Sequence, residues 1–315
     1  MKRKMLNVPK GGYDGMKGFT IVEFLVAGLL SVIVLIAVVS SYFTSRKLND
    51  AANERLAIQQ DLRNAATLIV RDARMAGSFG CFNMSEHIEQ DVVSDVTQKK
   101  PLFSLKRNST RNSTNKLIPI AESSNIGYQG FTQRLNALIF QYGIDDANAS
   151  AETTVVSSCG AISKPGKQIP TLEDAKKELK IQDSGKEQDG NIARQRHVVN
   201  AYAVGRFGNN EEGLFRFQLD DKGEWGNPQL LAKKVKRMDV RYIYVSGCPE
   251  DEDAGKEEQF KYTGKFDSSV TPAGVEVLLD SGSDAKIAAS SDNIIYAYRI
   301  NATIRGGNVC ANRTL

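Results

Sequence analysis

The sequence predicts an α+β protein in which one long N-terminal helix packs on a head of antiparallel β-strands. Three observations carry that expectation. Residues 19–43 form an apolar run of 25 residues whose one charge is Glu23. From 19 to 76 there is no proline, and Gly28 is the sole glycine. Beyond Cys81 the chain breaks into short runs rich in β-branched and aromatic residues, the pattern of strands rather than helices.

The helix comes first. At ~1.5 Å per residue, 25 apolar residues cross a hydrocarbon core of roughly 30 Å. Continued to residue 76, the helix reaches roughly 87 Å, and Gly77-Ser78-Phe79-Gly80 ends it. Its character changes after Arg46-Lys47. Leu48, Ala51, Ile58, Leu62, Ala65, Ile69, Ala73 and Ala76 recur at steps of three and four, or seven across Arg55, and form one apolar stripe. Arg46, Lys47, Asp50, Glu54, Arg63, Arg71 and Arg74 fall mostly off it. Residues 19–43 therefore suit lipid on every side, while residues 44–76 suit a sheet on one side.

Residues 77–315 are expected to form a β-rich globular domain of ample size for a core. Strands are expected at 135–142, 153–156, 197–204 and 213–219, toward the end of 230–244, and at 294–304. Asp221-Lys222-Gly223 marks a turn before Glu224-Trp225. Loops are expected at 99–116, 164–196 and 248–291. Within the second, Thr171 as N-cap with Asp174 three residues on, and Glu173–Lys177 spacing, predict a short surface helix.

Charge and cysteines place the head. Residues 1–18 carry Lys2, Arg3, Lys4, Lys10 and Lys17 against Asp14, so 36 basic and 36 acidic residues remain in the rest of the chain. The basic pI belongs to the leader and sets orientation: positive residues stay cytoplasmic and the C-terminal bulk lies outside. Cys81, Cys159, Cys248 and Cys310 all follow the membrane segment. Four cysteines in an exported domain allow three connectivities. The preferred pairs are Cys81–Cys159, tying the helix end to an early strand, and Cys248–Cys310, closing the C-terminal region.

Little points to catalysis. There is no GxSxG, P-loop or HExxH motif, and no CxxC, and His87 and His197 are the only histidines, so no enzyme, cofactor or metal is expected. Pro249-Glu250-Asp251-Glu252-Asp253 lacks the spacing of a calcium loop and reads as solvated. Lys99, Lys100, Lys106, Arg107, Arg111 and Lys116 lack interleaved aromatics, so nucleic acid is not an expected partner.

The N-terminus carries a resemblance. Lys17-Gly18-Phe19-Thr20, then Glu23 and an apolar helix, resembles the processing signal of type IV pilins. Ser78-Phe79-Gly80-Cys81, Gly213-Leu214-Phe215-Arg216, the stretch from Val235 to Tyr242 and Ile304-Arg305-Gly306 are together similar to the PilW family of minor pilins, also called PilJ in some nomenclatures. The resemblance implies a type IV pilin-like fold. It implies cleavage by a prepilin peptidase between Gly18 and Phe19, with N-methylation of Phe19. Glu23 would pair with the N-terminal amine of a neighbouring subunit, because either charge alone is costly in lipid. The chain would sit in the inner membrane as a single-pass protein with a periplasmic head. It would then join other minor pilins and the major pilin to start a filament, at the pilus tip beside an adhesin of the PilY/PilC kind. Where major pilins carry a proline, this chain has Ser40.

Other readings remain. A minor pseudopilin of the J class of type II secretion shares the N-terminal design. An adhesin or DNA-uptake pilin would act directly through the loops. A secretory signal cut after Val39-Ser40-Ser41 fits less well, because the apolar run exceeds a signal h-region and Glu23 is misplaced in one.

Overall fold

The computed structural model describes residues 18, 20–95, 101–106, 116–166, 168–181, 191–208, 211–226, 228–246, 259–280 and 298–307. The expected helix is continuous: α1 spans Ile21–Met75, 55 residues. Its absence of proline and near-absence of glycine leaves the hydrogen-bond ladder unbroken. Gly77 then turns the chain at φ 80°, a conformation that favours glycine. The chain divides into two compact units, residues 1–57 and 58–315.

In the first unit every described side chain is exposed. Apolar residues dominate that surface: Phe24 is 72% exposed and Leu25 64%. The helix is long and apolar enough for a single membrane span or signal anchor. Leu48 is 67% exposed and Ala51 is exposed too, so the packed stripe begins later than the sequence suggests, at half-buried Ile58.

The second unit is built on a nine-stranded sheet and a four-stranded sheet. The hub of the first is β9, Ala193–Phe207. It pairs with β6 (Ala137–Ile144), β7 (Thr154–Ser157) and β10 (Glu211–Gln218), all antiparallel. The strands β4 (Ile120–Ser123) and β11 (Gln229–Lys233) extend it beyond β6 and β10. Beside β7 lies β8 (Ile162–Lys164). One pair departs from the antiparallel expectation: β3 (Val92–Asp95) runs parallel to β8. Short β5 (Phe131–Gln133) pairs with the far end of β9.

The alternation of β9 makes two cores. Tyr202 and Val204 pack with Leu62, Ala65, Ile69 and Ala73 of the helix. Val199, Ala201 and Ala203 face the other way, onto Phe215, Phe217 and Ile139. This is the two-residue period of a strand buried on both sides.

The second sheet corrects the sequence reading. The stretch 248–291, expected to be a loop, contains β13 (Gln259–Thr263) and β14 (Gly274–Asp280). With β12 (Arg237–Ser246) and β15 (Tyr298–Thr303) they form an antiparallel sheet ordered β13-β12-β14-β15. Val275, Val277 and Leu279 face the helix-side core, alternating with Glu276, which is buried beside Arg241 and Arg299. The strand expected toward the end of 230–244 is β12, and Lys234 at φ 60° separates it from β11 before it. The turn expected at Asp221-Lys222-Gly223 forms, held by the Asp220 side chain, which accepts from the Lys222 and Glu224 amides at 2.9 Å each. Short helix α2, Leu172–Glu178, is capped by Thr171, which accepts from the Asp174 amide at 3.1 Å. Its ion pair is Lys176 with Glu173, not the expected Glu173–Lys177.

Candidate functional site

The helix start holds the residues that the sequence singled out. Gly18 is exposed, and Phe19 lies outside the described residues. Thr20 and Glu23 form a reciprocal capping box. The Glu23 amide donates to Thr20 Oγ1 at 3.3 Å, and the Glu23 carboxylate accepts from the Thr20 amide at 3.0 Å and from its hydroxyl at 2.9 Å. Two otherwise orphaned amides of the first turn are thereby satisfied. Glu23 thus has a structural task of its own, which its isolation in an apolar run does not reveal.

A second carboxylate of the helix was not visible in sequence. Asp72 is fully buried. Three strands of one sheet face aim donors at it, because residues two apart on a strand point the same way. From β6, the Tyr142 hydroxyl donates to Oδ1 at 2.8 Å. From β9, Asn200 Nδ2 and the Tyr202 hydroxyl donate to Oδ2 at 2.8 and 2.6 Å. Arg216 of β10 lies 3.5 Å from Oδ2, and Arg71 of the helix 3.3 Å from Oδ1. Asn200 also donates to the Tyr142 hydroxyl at 3.0 Å. Such a carboxylate tolerates burial because both oxygens are occupied and two cations balance it. Burial, followed by the Asp72 charge, pushes the Tyr142 hydroxyl up to about 12 and the Tyr202 hydroxyl higher still. The phenols remain donors, and the site acts as a register pin holding residues 58–75 on the sheet. The step from Ile69 to Asp72 is a core-facing spacing, but the spacing alone does not reveal the distant partners that make a carboxylate tolerable there.

Another polar cluster lies at the same end of β6, at Gln141, which points to the opposite face from its neighbour Tyr142. Lys164 is buried with Nζ 3.1 Å from His197 Nδ1, 3.4 Å from the Phe103 carbonyl and 3.7 Å above the Phe103 ring. His197 Nε2 lies 3.2 Å from Gln141 Oε1. The two ring nitrogens of His197 thus face Lys164 on one side and the Gln141 side chain on the other.

Of the two expected disulfides, Cys81–Cys159 is formed, with Cα atoms 4.7 Å apart. Cys81 turns the hairpin of β1 (Ser78–Phe79) and β2 (Phe82–Asn83). Cys159 follows β7, and Ser157 Oγ donates to the Phe79 carbonyl at 2.7 Å beside it. The end of the helix is thereby tied to the nine-stranded sheet, as the sequence predicts. Cys248 and Cys310 lie outside the described residues, as do the acidic stretch 249–253 and residues 107–115 of the basic loop.

No protein-family model, curated protein or solved structure matches the chain.

Proposed function

We propose that this chain is a membrane-anchored filament subunit of the type IV pilin class. Within that class it acts as a minor pilin of the PilW type, joining other minor pilins to start assembly at the pilus tip. The observation that carries the reading is one uninterrupted helix whose first half is apolar all round, with Glu23 its only charge, following Lys17-Gly18-Phe19. Anchoring comes from that first half. The head is held to the second half by Asp72 and by Cys81–Cys159. A prepilin peptidase would release Phe19, whose amine seeks a carboxylate in a neighbouring subunit, and Glu23 supplies one. A head of this size suits a rarely used or terminal position, where packing along the shaft does not constrain it.

The test is deletion of the gene and complementation with Glu23 variants, read by piliation and co-purification of minor pilins. Deletion is expected to reduce pili sharply. Glu23→Gln retains the capping geometry, since glutamine serves at that position, but removes the charge. Its failure to restore assembly would locate the function in the charge. Full assembly with Glu23→Gln would make Glu23 a helix cap and nothing more, and normal piliation in the deletion strain would remove the filament role.

A further inference from the structure

A groove of about 510 Å³ runs along the exposed flank of α1 and ends at β15. Its lining includes Arg63, Val70, Arg71, Arg74, Met75 and Tyr298. Three features distinguish it from an ordinary solvated helix face. Val70, Met75 and Tyr298 are only half-buried, so the floor is apolar and accessible. Three guanidinium groups line it and no carboxylate does. Arg71 is engaged by Asp72, but Arg63 and Arg74 have no side-chain partner among the described residues. The third feature is β15 itself. It closes the four-stranded sheet, and among the described residues no strand pairs with its outer edge. An open edge presents unpaired amides and carbonyls at the spacing of another strand.

We infer that this groove docks an extended acidic segment of a partner protein, laid along the outer edge of β15. The backbone of that segment would complete the β15 edge. Its apolar side chains would cover Val70 and Met75, and its carboxylates would meet Arg63 and Arg74. Charge complementarity selects an acidic occupant and disfavours a basic one. The inference deepens the filament reading by giving the subunit a surface for a neighbour, and rests on it only for the source of the partner.

The test uses the full-length protein in nanodiscs of zwitterionic lipid. The probe is a nine-residue peptide of valine, threonine and glutamate, labelled for fluorescence anisotropy. Its controls are the same peptide with lysine for glutamate, and the acidic peptide with alternate backbone amides N-methylated. The acidic peptide is expected to bind one per chain, with the lysine peptide failing. Arg63→Glu with Arg74→Glu should weaken binding at least about tenfold, and so should N-methylation. Both arginines are exposed, and circular dichroism checks that the double variant is folded. Equal binding of the acidic and lysine peptides, or no change on charge reversal, overturns the proposal. So does undiminished binding of the N-methylated peptide. Dimerisation of the chain that the same charge reversal abolishes would assign the groove to a second copy and overturn it too. A mature terminus other than Phe19 combined with specific peptide binding would remove the filament and leave the groove. The opposite pair of results would remove the groove alone.

Discussion

Glu23 and Asp72 are both carboxylates on apolar stretches of α1, and they are satisfied in opposite ways. Glu23 finds its partners within its own turn, through Thr20. Asp72 finds them on β6, β9 and β10, far away in sequence. A locally satisfied carboxylate can exchange its partner without disturbing the head. One that gathers donors from three strands cannot, since removing it strips the buried Tyr202 hydroxyl and the Arg216 guanidinium of their shared acceptor. The contrast separates a residue whose partners lie within its own turn from a residue committed to folding.

The strongest way to break the contrast is Asp72→Ala. It should destabilise the head by about 3–5 kcal/mol, the cost of stripping a buried charge from its partners. Chemical denaturation measures it, and a loss below about 1 kcal/mol would mean that the pin is ornamental. Glu23→Gln should leave the same transition in place.

Next in size is the disulfide. Cys159→Ser should cost about 2–5 kcal/mol, since the bond closes a loop with a sequence separation of 78. Peptide mapping without reductant should recover Cys81–Cys159 and a second pair, Cys248–Cys310. The strands that precede those last two, β12 and β15, both run antiparallel to β14 and so leave the sheet in the same direction. Alkylation of Cys248 and Cys310 in protein isolated without reductant would refute the second bond.

Tyr142→Phe sharpens the comparison further, with an expected loss of about 1–3 kcal/mol because Asp72 Oδ1 keeps only Arg71. The hydroxyl also sets a pH dependence. Burial raises Tyr142 to about 12, and burial does the same for Tyr244. Between the unfolded value near 10 and about 12, the unfolded state loses protons that the folded state keeps. The contribution of these phenols to stability should therefore be level below pH 10 and fall as pH rises toward 12, and Tyr142→Phe should shallow that fall. A curve flat to pH 12 would show that the phenols are not shielded as the structure has them.

The smallest effect belongs to Thr20→Ala. It should loosen the first turn without moving the unfolding transition of the head, read as faster amide exchange at the helix start.

How much of this was legible in the sequence follows the same division between local and distant partners. The helix, the N-cap of α2, the turn at Asp221-Lys222-Gly223 and the cores of β6, β7, β9 and β10 rest on short-range patterns, and the sequence showed them. What it hid depends on distant partners. In β14 the alternation of Val275, Val277 and Leu279 was present, but Glu276 and a Gly/Ser-rich neighbourhood made the stretch resemble a loop. Only Arg241 and Arg299, brought from two other strands, make that carboxylate an interior residue. Asp72 was concealed for the same reason. A carboxylate in the stripe looks like an interruption until the tyrosines that hold it are in place.

The most direct measurement is mass spectrometry of the mature N-terminus from membranes. A chain beginning at N-methylated Phe19, with residues 1–18 absent, is the expected result. A chain beginning at Tyr42 would mean that the apolar run is a discarded signal, and the anchored filament subunit proposed above would not exist.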